Sequence, residues 1–256
     1  RDNMNNLFDV SGKVVMVTGG SRGLGKAMVM EFAQRGAKVV IASRKLDECQ
    51  KVAAEVSNQG GEALALSCHV GQWDSLSDVI GQVVDHFGRL DVLVNNAGMS
   101  PVAPSLLETS ELLFDKIIGV NLKGPTRLTA LAADQMAKTG GGSIINISSV
   151  ASYKPSALTT VYSAAKAGLN ALTSASAQEF ASVGVRVNCI VCGTFDTDAA
   201  AGFVHNPDTL PHVIEPIALN RVGEPEEVVG AVIYFASAAS SYTTGTCMTI
   251  DGGIRP

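Results

Sequence analysis

No run of apolar residues in this 256-residue chain approaches the roughly 18 needed to cross a bilayer. The opening Arg1-Asp2-Asn3-Met4-Asn5-Asn6 also lacks the apolar stretch of a secretory leader. The expectation is a cytoplasmic protein with no membrane partner. Charge is scarce as well: 17% of residues are charged, with Lys+Arg 19 against Asp+Glu 24 and a formal net charge of −5. A mildly acidic chain without a basic block gives no footing to a nucleic-acid role. A charged fraction below the usual figure of about 25% also suggests that part of the surface is covered by another subunit.

Cysteine is sparse and unpaired in pattern. Cys49, Cys68, Cys189, Cys192 and Cys247 are odd in number and scattered over a chain too long to need disulfide staples, so reduced thiols are expected. Cys189 and Cys192 form a Cys-x-x-Cys, but they lie in or beside the apolar run Val185 to Val191. An odd separation on a strand sends side chains to opposite faces. The histidines His69, His86, His205 and His212 are too dispersed to suggest zinc, and no metal site is expected.

What the chain does contain is an alternation of short β-branched runs with longer segments of helical period, the pattern of repeated βαβ units. Expected strands are Lys13 to Thr18, Lys38 to Ala42, Ala63 to Ser67, Asp91 to Val94, Ser143 to Ile147, Val185 to Val191 and Cys247 to Ile250. Expected helices are Leu24 to Arg35, Leu46 to Asn58, Ser75 to Phe87, Glu111 to Lys138, Val161 to Ser182 and Glu226 to Ala236. This predicts an α/β fold: a doubly wound, seven-stranded parallel sheet with helices on both faces. Right-handed crossovers leave a crevice at the carboxyl ends of the strands, where ligand groups belong. Residues 1–11 are read as an N-terminal extension, and 12–256 as a single domain. One segment, about 194–220, follows a strand, carries Pro207, Pro211 and Pro216, and is too long for an ordinary connection. It is read as a substrate lid.

The first strand runs into Thr18-Gly19-Gly20-Ser21-Arg22-Gly23-Leu24-Gly25 and then a helix. A Gly-rich turn between strand and helix cradles phosphate, because missing side chains let the backbone approach and the helix N-terminus offers free N–H groups. Its Thr-Gly-x-x-x-Gly-x-Gly spacing is not the common dinucleotide fingerprint. An NAD-binding fold would place a carboxylate about 20 residues on, for the ribose hydroxyls. Here the second strand ends Ile41-Ala42-Ser43-Arg44-Lys45, with no carboxylate before Asp47. Arg44, assisted by Arg22, can instead hold a 2′-phosphate, which favours NADP(H) over NAD; two unliganded surface arginines are the alternative. The fourth strand ends in Asn95-Asn96-Ala97-Gly98, where the cofactor can pass closely.

At the fifth strand the chain reads Asn146-Ile147-Ser148-Ser149; thirteen residues beyond Ser149 comes Tyr162, and four further on Lys166. Residues i and i+4 share a helix face, so the ammonium can sit beside the phenol and favour its phenolate form. On these motifs together the chain, from about Gly12 to Gly253, resembles the short-chain dehydrogenase/reductase family.

That resemblance implies a single-domain Rossmann-type enzyme that interconverts a ketone and a secondary alcohol. It implies Tyr162 as general acid/base, Ser149 as hydrogen-bond partner of the substrate oxygen, and Lys166 acting on the phenol and the nicotinamide ribose. Asn121 would hold a proton-relay water, and spacing selects Ser149 over Ser148. The implied cofactor contacts are Gly19, Ser21, Arg22, Gly23, Leu24, Gly25, Ser43, Arg44, His69, Val70, Asn95, Ala97, Gly98, Gly193 and Thr197, with Tyr162 and Lys166. Two departures stand out. His69-Val70 replaces the usual Asp-Val, and Cys192-Gly193 replaces a Pro-Gly before the lid, which removes a constraint on it.

Apolar lid residues such as Phe195, Phe203, Val204 and Leu210, with Met99, Val102 and Leu106 after the fourth strand, suit a small-molecule ketone or alcohol with a hydrophobic body. A carbonyl reductase or alcohol dehydrogenase is the first reading. An acyl-carrier-protein ketoreductase is second, because Ser174 to Glu179 lacks the basic residues such docking uses. A non-catalytic NADP sensor is the alternative of another class. The helix around Ala164, Ala165, Ala167, Gly168 and Ala171 is small-residue-rich, and a homotetramer, or a homodimer, is expected.

Overall fold

The first strand shows why the sheet is the middle layer: Val14–Thr18 (β1) is apolar at four consecutive positions and buried at all five. Only a strand covered on both faces reads that way. In the computed structural model, which describes residues 7–254, the chain continues through Gly23–Gln34 (α1), Lys38–Ser43 (β2), Leu46–Asn58 (α2), Ala63–Ser67 (β3), Leu76–Phe87 (α3) and Val92–Asn95 (β4). The second half comprises Glu111–Ile118 (α4), Gly124–Lys138 (α5), Gly142–Ser149 (β5), Thr160–Phe180 (α6), Val185–Cys192 (β6), Ala201–Val204 (α7), Leu210–Ile214 (α8), Val229–Ala236 (α9) and Cys247–Ile250 (β7).

All neighbouring strands pair in parallel, in the order β3-β2-β1-β4-β5-β6-β7. The chain winds one way from β1 to β3 and the other way from β4 to β7, so the ends of β1 and β4 flank the crevice of a doubly wound sheet. Strand side chains alternate between two cores. Val15, Val17, Val39 and Ile41 pack with Met28 and Phe32 of α1 and with Phe235 of α9. Met16, Val40, Leu93 and Ile144 pack with Val83 of α3, Leu128 of α5 and Ala177 of α6. At the opposite end of the sheet Asp91 receives the Val14 N–H at 2.8 Å and the Arg89 guanidinium, which ties β1 to the start of β4. No helix among the described residues is long and apolar enough to cross a membrane.

The expected strands recur within one or two residues, but two segments differ in a way that matters. The expected helix Glu111 to Lys138 is interrupted by a π-helical turn, Gly119–Lys123, between α4 and α5. Pro125 lacks the N–H that would bond the Asn121 carbonyl four residues back, and a wider turn absorbs the mismatch. Residues 7–11 of the expected extension pack onto the domain: Val10 is fully buried, and the Leu7 carbonyl accepts from Ala239 N at 2.9 Å. The rest of that extension, residues 1–6, lies outside the described residues.

The long connection after β6 is pinned at both ends. Near its start Phe195 forms a bridge with Gly223, and near its exit Ile217 forms one with Ile254, beyond β7. Phe195 is 5% exposed and Val204 is buried too, so both anchor the segment and do not line a pocket as the sequence suggested.

Candidate active site

The nucleotide end is built on backbone geometry at the crevice. The Thr18 hydroxyl accepts from the N–H groups of Asn96 and Ala97, both at 3.0 Å, and Asn96 Nδ2 donates to the Thr18 carbonyl at 2.9 Å. These bonds fix the turn after β1 against the turn after β4. Gly19 and Gly23 hold positive φ angles of 65° and 51°, where a side chain is strained. A Cβ on Gly25 would overlap the Gly19 carbonyl oxygen and approach Asn96 Nδ2 to 2.6 Å. The turn is therefore stripped of side chains by close packing.

At the N-terminus of α1 the cap residue Arg22 offers no side-chain acceptor, and the first turn carries no acid. Its free N–H groups and positive dipole end fit a pyrophosphate. Ser21 and Ser43 hydroxyls meet at 3.0 Å, which brings the ends of β1 and β2 together with exposed Arg22 and Arg44 beside them. Neither arginine makes an ion pair among the described residues. Thr197, early in the long connection after β6, reaches Gly23: a Cβ there would lie 3.4 Å from the threonine methyl. Gly193 is backed by Asp251, with which any Cβ would collide at 2.7 Å.

The chemical end lies at the carboxyl ends of β5 and β6, where Ser149 and Cys192 are in register. Ser149, half-buried, accepts from Ala151 N at 3.2 Å and neighbours the Tyr162 phenol of α6 closely enough to favour its ionised form. Ser148 is buried and bonds the Lys166 carbonyl instead, so the two neighbours serve structure and cleft respectively. Lys166 is buried, its ammonium donating to the Ile147 carbonyl at 2.7 Å and lying 5.7 Å from the centre of the Tyr162 ring.

Burial pulls the Lys166 ammonium down to about 8. The same cause pushes the Tyr162 phenol above its ordinary value, and the neighbouring Ser149 hydroxyl pulls only part of that back. The sequence argument expected an acidified phenol. In the protein by itself desolvation outweighs the cation, because the ammonium is directed to a backbone carbonyl.

Asn121 sits on the π turn, fully buried. Its Nδ2 donates to the carbonyls of Met99 and Ile117, both at 2.9 Å, and its Oδ1 accepts from Met99 N at 3.2 Å. Both amide hydrogens are used, so any further partner must donate to Oδ1. A Cβ on Gly98 would lie 3.1 Å from that oxygen and 3.6 Å from Lys166 Nζ, so Gly98, Asn121 and Lys166 converge on one spot.

The model of the family described as enoyl-(acyl carrier protein) reductase matches residues 19–255. The bovine protein called dehydrogenase/reductase SDR family member 4 is 35% identical over 94% of this chain and 86% of its own. This chain belongs to the short-chain dehydrogenase/reductase family. Another relative, the 3-oxoacyl-[acyl-carrier-protein] reductase of Thermotoga maritima, is 36% identical over 96% of this chain and 98% of its own. Among solved structures, a Beutenbergia cavernae protein described as an NAD(P)-dependent gluconate 5-dehydrogenase, with NADP bound at low occupancy, superposes with a TM-score of 0.92. It is 31% identical, over 96% of this chain and 98% of its own.

As a short-chain dehydrogenase/reductase, the protein is an oxidoreductase of a nicotinamide-dependent family, and most of its expected site residues gather in the one crevice. Asn95 does not. Its side chain is buried and donates to Thr129 at 3.2 Å and to Asn146 at 2.9 Å, and Asn146 continues to Thr173 at 2.9 Å. Asn95 braces β4, β5 and the helices beneath them, a correction to its reading as a cofactor contact. Adjacent strand residues point to opposite faces, so it is Asn96 that reaches the crevice. His69 Nδ1 accepts from Gly71 N at 3.1 Å, and the Val70 carbonyl is packed against Gly124. Sequence reasoning did not single out Thr18 or Asn96, although both lie in the motifs it used. It also missed Tyr153, whose hydroxyl bonds Asp251 at 3.2 Å and ties the turn after Ser149 to the loop after β7. Among the described residues no three His, Cys, Asp or Glu side chains cluster as a metal site.

Proposed function

We propose that this protein is an NADP(H)-dependent oxidoreductase that interconverts a ketone and a secondary alcohol on a mostly apolar small molecule. The observation that carries this reading is the grouping of Tyr162 and Ser149 over a buried Lys166, whose ammonium lies 5.7 Å from the centre of the Tyr162 ring, in the crevice that holds the phosphate turn. NADPH, when bound, supplies the hydride. Tyr162 donates its phenolic proton to the substrate oxygen, and Ser149 donates a hydrogen bond to the same oxygen as negative charge develops. Lys166, held by Ile147, keeps a positive charge beneath the phenol that favours negative charge developing on its oxygen as the proton leaves. Exposed Arg22 and Arg44, with no carboxylate before Asp47, support the 2′-phosphate assignment.

The recess beside Tyr162 is lined by Ala103, Leu106, Ile117, Leu158 and Val161, between the loop after β4 and the start of α6. This lining supports a hydrophobic substrate body. The lid from 194 to 220, with Thr197 against the phosphate turn, forms the other wall in this reading. A second reading is a 3-oxoacyl-thioester reductase, favoured by the Thermotoga relative. The exposed stripe Ala164, Ala167, Ala171, Ser174 and Ala175 on α6 supports a homotetramer built on close helix contact. The protein is proposed to act in the cytoplasm.

The test is NADPH oxidation with a panel of free ketones and a 3-oxoacyl thioester, each repeated with NADH. Turnover of apolar ketones with NADPH is expected. Preference for the thioester selects the second reading, and tight NADPH binding without turnover of any substrate sinks both.

A further inference from the structure

Outside the crevice, two thiols meet at the edge of the sheet. Cys189 of β6 and Cys247 of β7 are directly paired in the parallel register, so their side chains leave the same face of the sheet side by side. Both are free. Cys189 is fully buried, whereas Cys247 is exposed on a strand that has no neighbour beyond it among the described residues. The Cys-x-x-Cys partner is out of reach: Cys192 packs in the core on the other face of the sheet. The pairing joins residues far apart in sequence, which the motif hid.

The two sulfurs are not equivalent. The proximity of the two thiols holds Cys247 down to about 7 and, with burial, pushes Cys189 well up. An accessible thiol of lowered pKa beside a second thiol able to resolve it is the arrangement that peroxides oxidise selectively.

We propose that Cys189 and Cys247 are a reversible dithiol–disulfide modification site oxidised by peroxide. The Cys247 sulfur attacks one peroxide oxygen and the O–O bond breaks, leaving hydroxide, which takes a proton to become water, and a sulfenic acid on Cys247. The Cys189 sulfur then attacks the Cys247 sulfur, its proton leaving with the sulfenic hydroxyl as a second water. Two electrons pass from the two thiols to one peroxide. Adjacent strands lie about 4.8 Å apart, within the roughly 4.4 to 6.8 Å that disulfide Cα atoms span, so the bond can form, and a thiol such as glutathione that attacks the exposed Cys247 sulfur reopens it.

The consequence reaches the catalytic helix through Asn170. The Cys189 S–H also faces Asn170 Oδ1 at 3.5 Å, and Asn170 Nδ2 donates to Ser152 at 2.9 Å, in the turn that follows Ser149. Oxidation removes that donor one helical turn beyond Lys166. The proposal does not depend on which substrate is reduced.

The experiment treats the reduced full chain with hydrogen peroxide and follows free thiols, intact mass and peptide linkage. Two thiols are expected to disappear with a mass loss of about 2 Da, in a Cys189–Cys247 peptide that glutathione reverses. Cys189→Ser is expected to leave Cys247 as a sulfenic acid that dimedone captures, and Cys247→Ser to abolish the reaction. Survival of Cys247 as a thiol, or a Cys247 bond between two chains seen as a dimer on a non-reducing gel, overturns the assignment.

Discussion

Lys166 Nζ is bonded to the Ile147 carbonyl at 2.7 Å and stands 5.7 Å from the centre of the Tyr162 ring, so the ammonium is held by the end of β5 and not by the phenol. The cation is positioned by the sheet, and its buried charge acts on whatever enters above it.

This burial has a thermodynamic signature. Lys166 loses its proton near pH 8 when folded and near 10.5 when unfolded, so between these values the unfolded chain holds more protons and stability rises with pH. The gain from this group reaches roughly 3 kcal/mol. The Tm of the protein relative to Lys166→Met is expected to climb from pH 8 to 10. A difference that stays flat over that range removes the buried charge from the account.

Tyr162→Phe deletes the proton donor and keeps the ring. A fall in kcat of about a hundredfold to ten-thousandfold is expected, with NADPH affinity little changed. Stopped-flow reduction and cofactor fluorescence separate the two effects; a kcat within a few-fold of the parent assigns the proton elsewhere.

Arg44→Asp places a carboxylate where a 2′-phosphate would bind. NADPH is expected to bind about tenfold or more weaker, and NADH to bind no worse. Titration of both cofactors checks this, and unchanged discrimination defeats the NADP assignment.

Gly25→Ala drives a methyl into the Gly19 carbonyl oxygen. Overpacking of this kind costs about 1 to 3 kcal/mol, or a Tm several degrees lower for a chain of this size. Calorimetry is expected to show that drop together with lost cofactor binding, and a silent substitution means the turn is looser than its contacts imply.

Ala171→Arg puts a long cation on the exposed small-residue face of α6. If that face pairs subunits, light scattering records a smaller particle than the parent; identical masses take α6 out of the assembly.

Much of this was written in local pattern. β1 and β2 read as apolar runs because both faces are covered, and Tyr162 with Lys166 needed only the helical repeat. The π turn escaped because one proline early in a helical pattern normally marks a start, and here it widens a turn within a longer helix. Asn95 misled because two adjacent amides look alike until the strand's alternation assigns one to each face. The partners of Lys166 and Cys189 are a backbone carbonyl and a distant thiol, neither of which leaves a periodic trace. The long connection after β6 stood out by its length, but burial of Phe195 depends on Gly223, whose missing side chain leaves room for the ring.

Because bridges at Phe195 and Ile217 fasten the long connection after β6 at both ends, it is held as a visor between two posts and not as a free flap. The span between the posts bounds the mouth, and Gly223 and Ile254 carry the two hinges. Longer insertions in the middle of the visor would enlarge the chamber without loosening either hinge, which makes this stretch the natural place to alter what the enzyme admits.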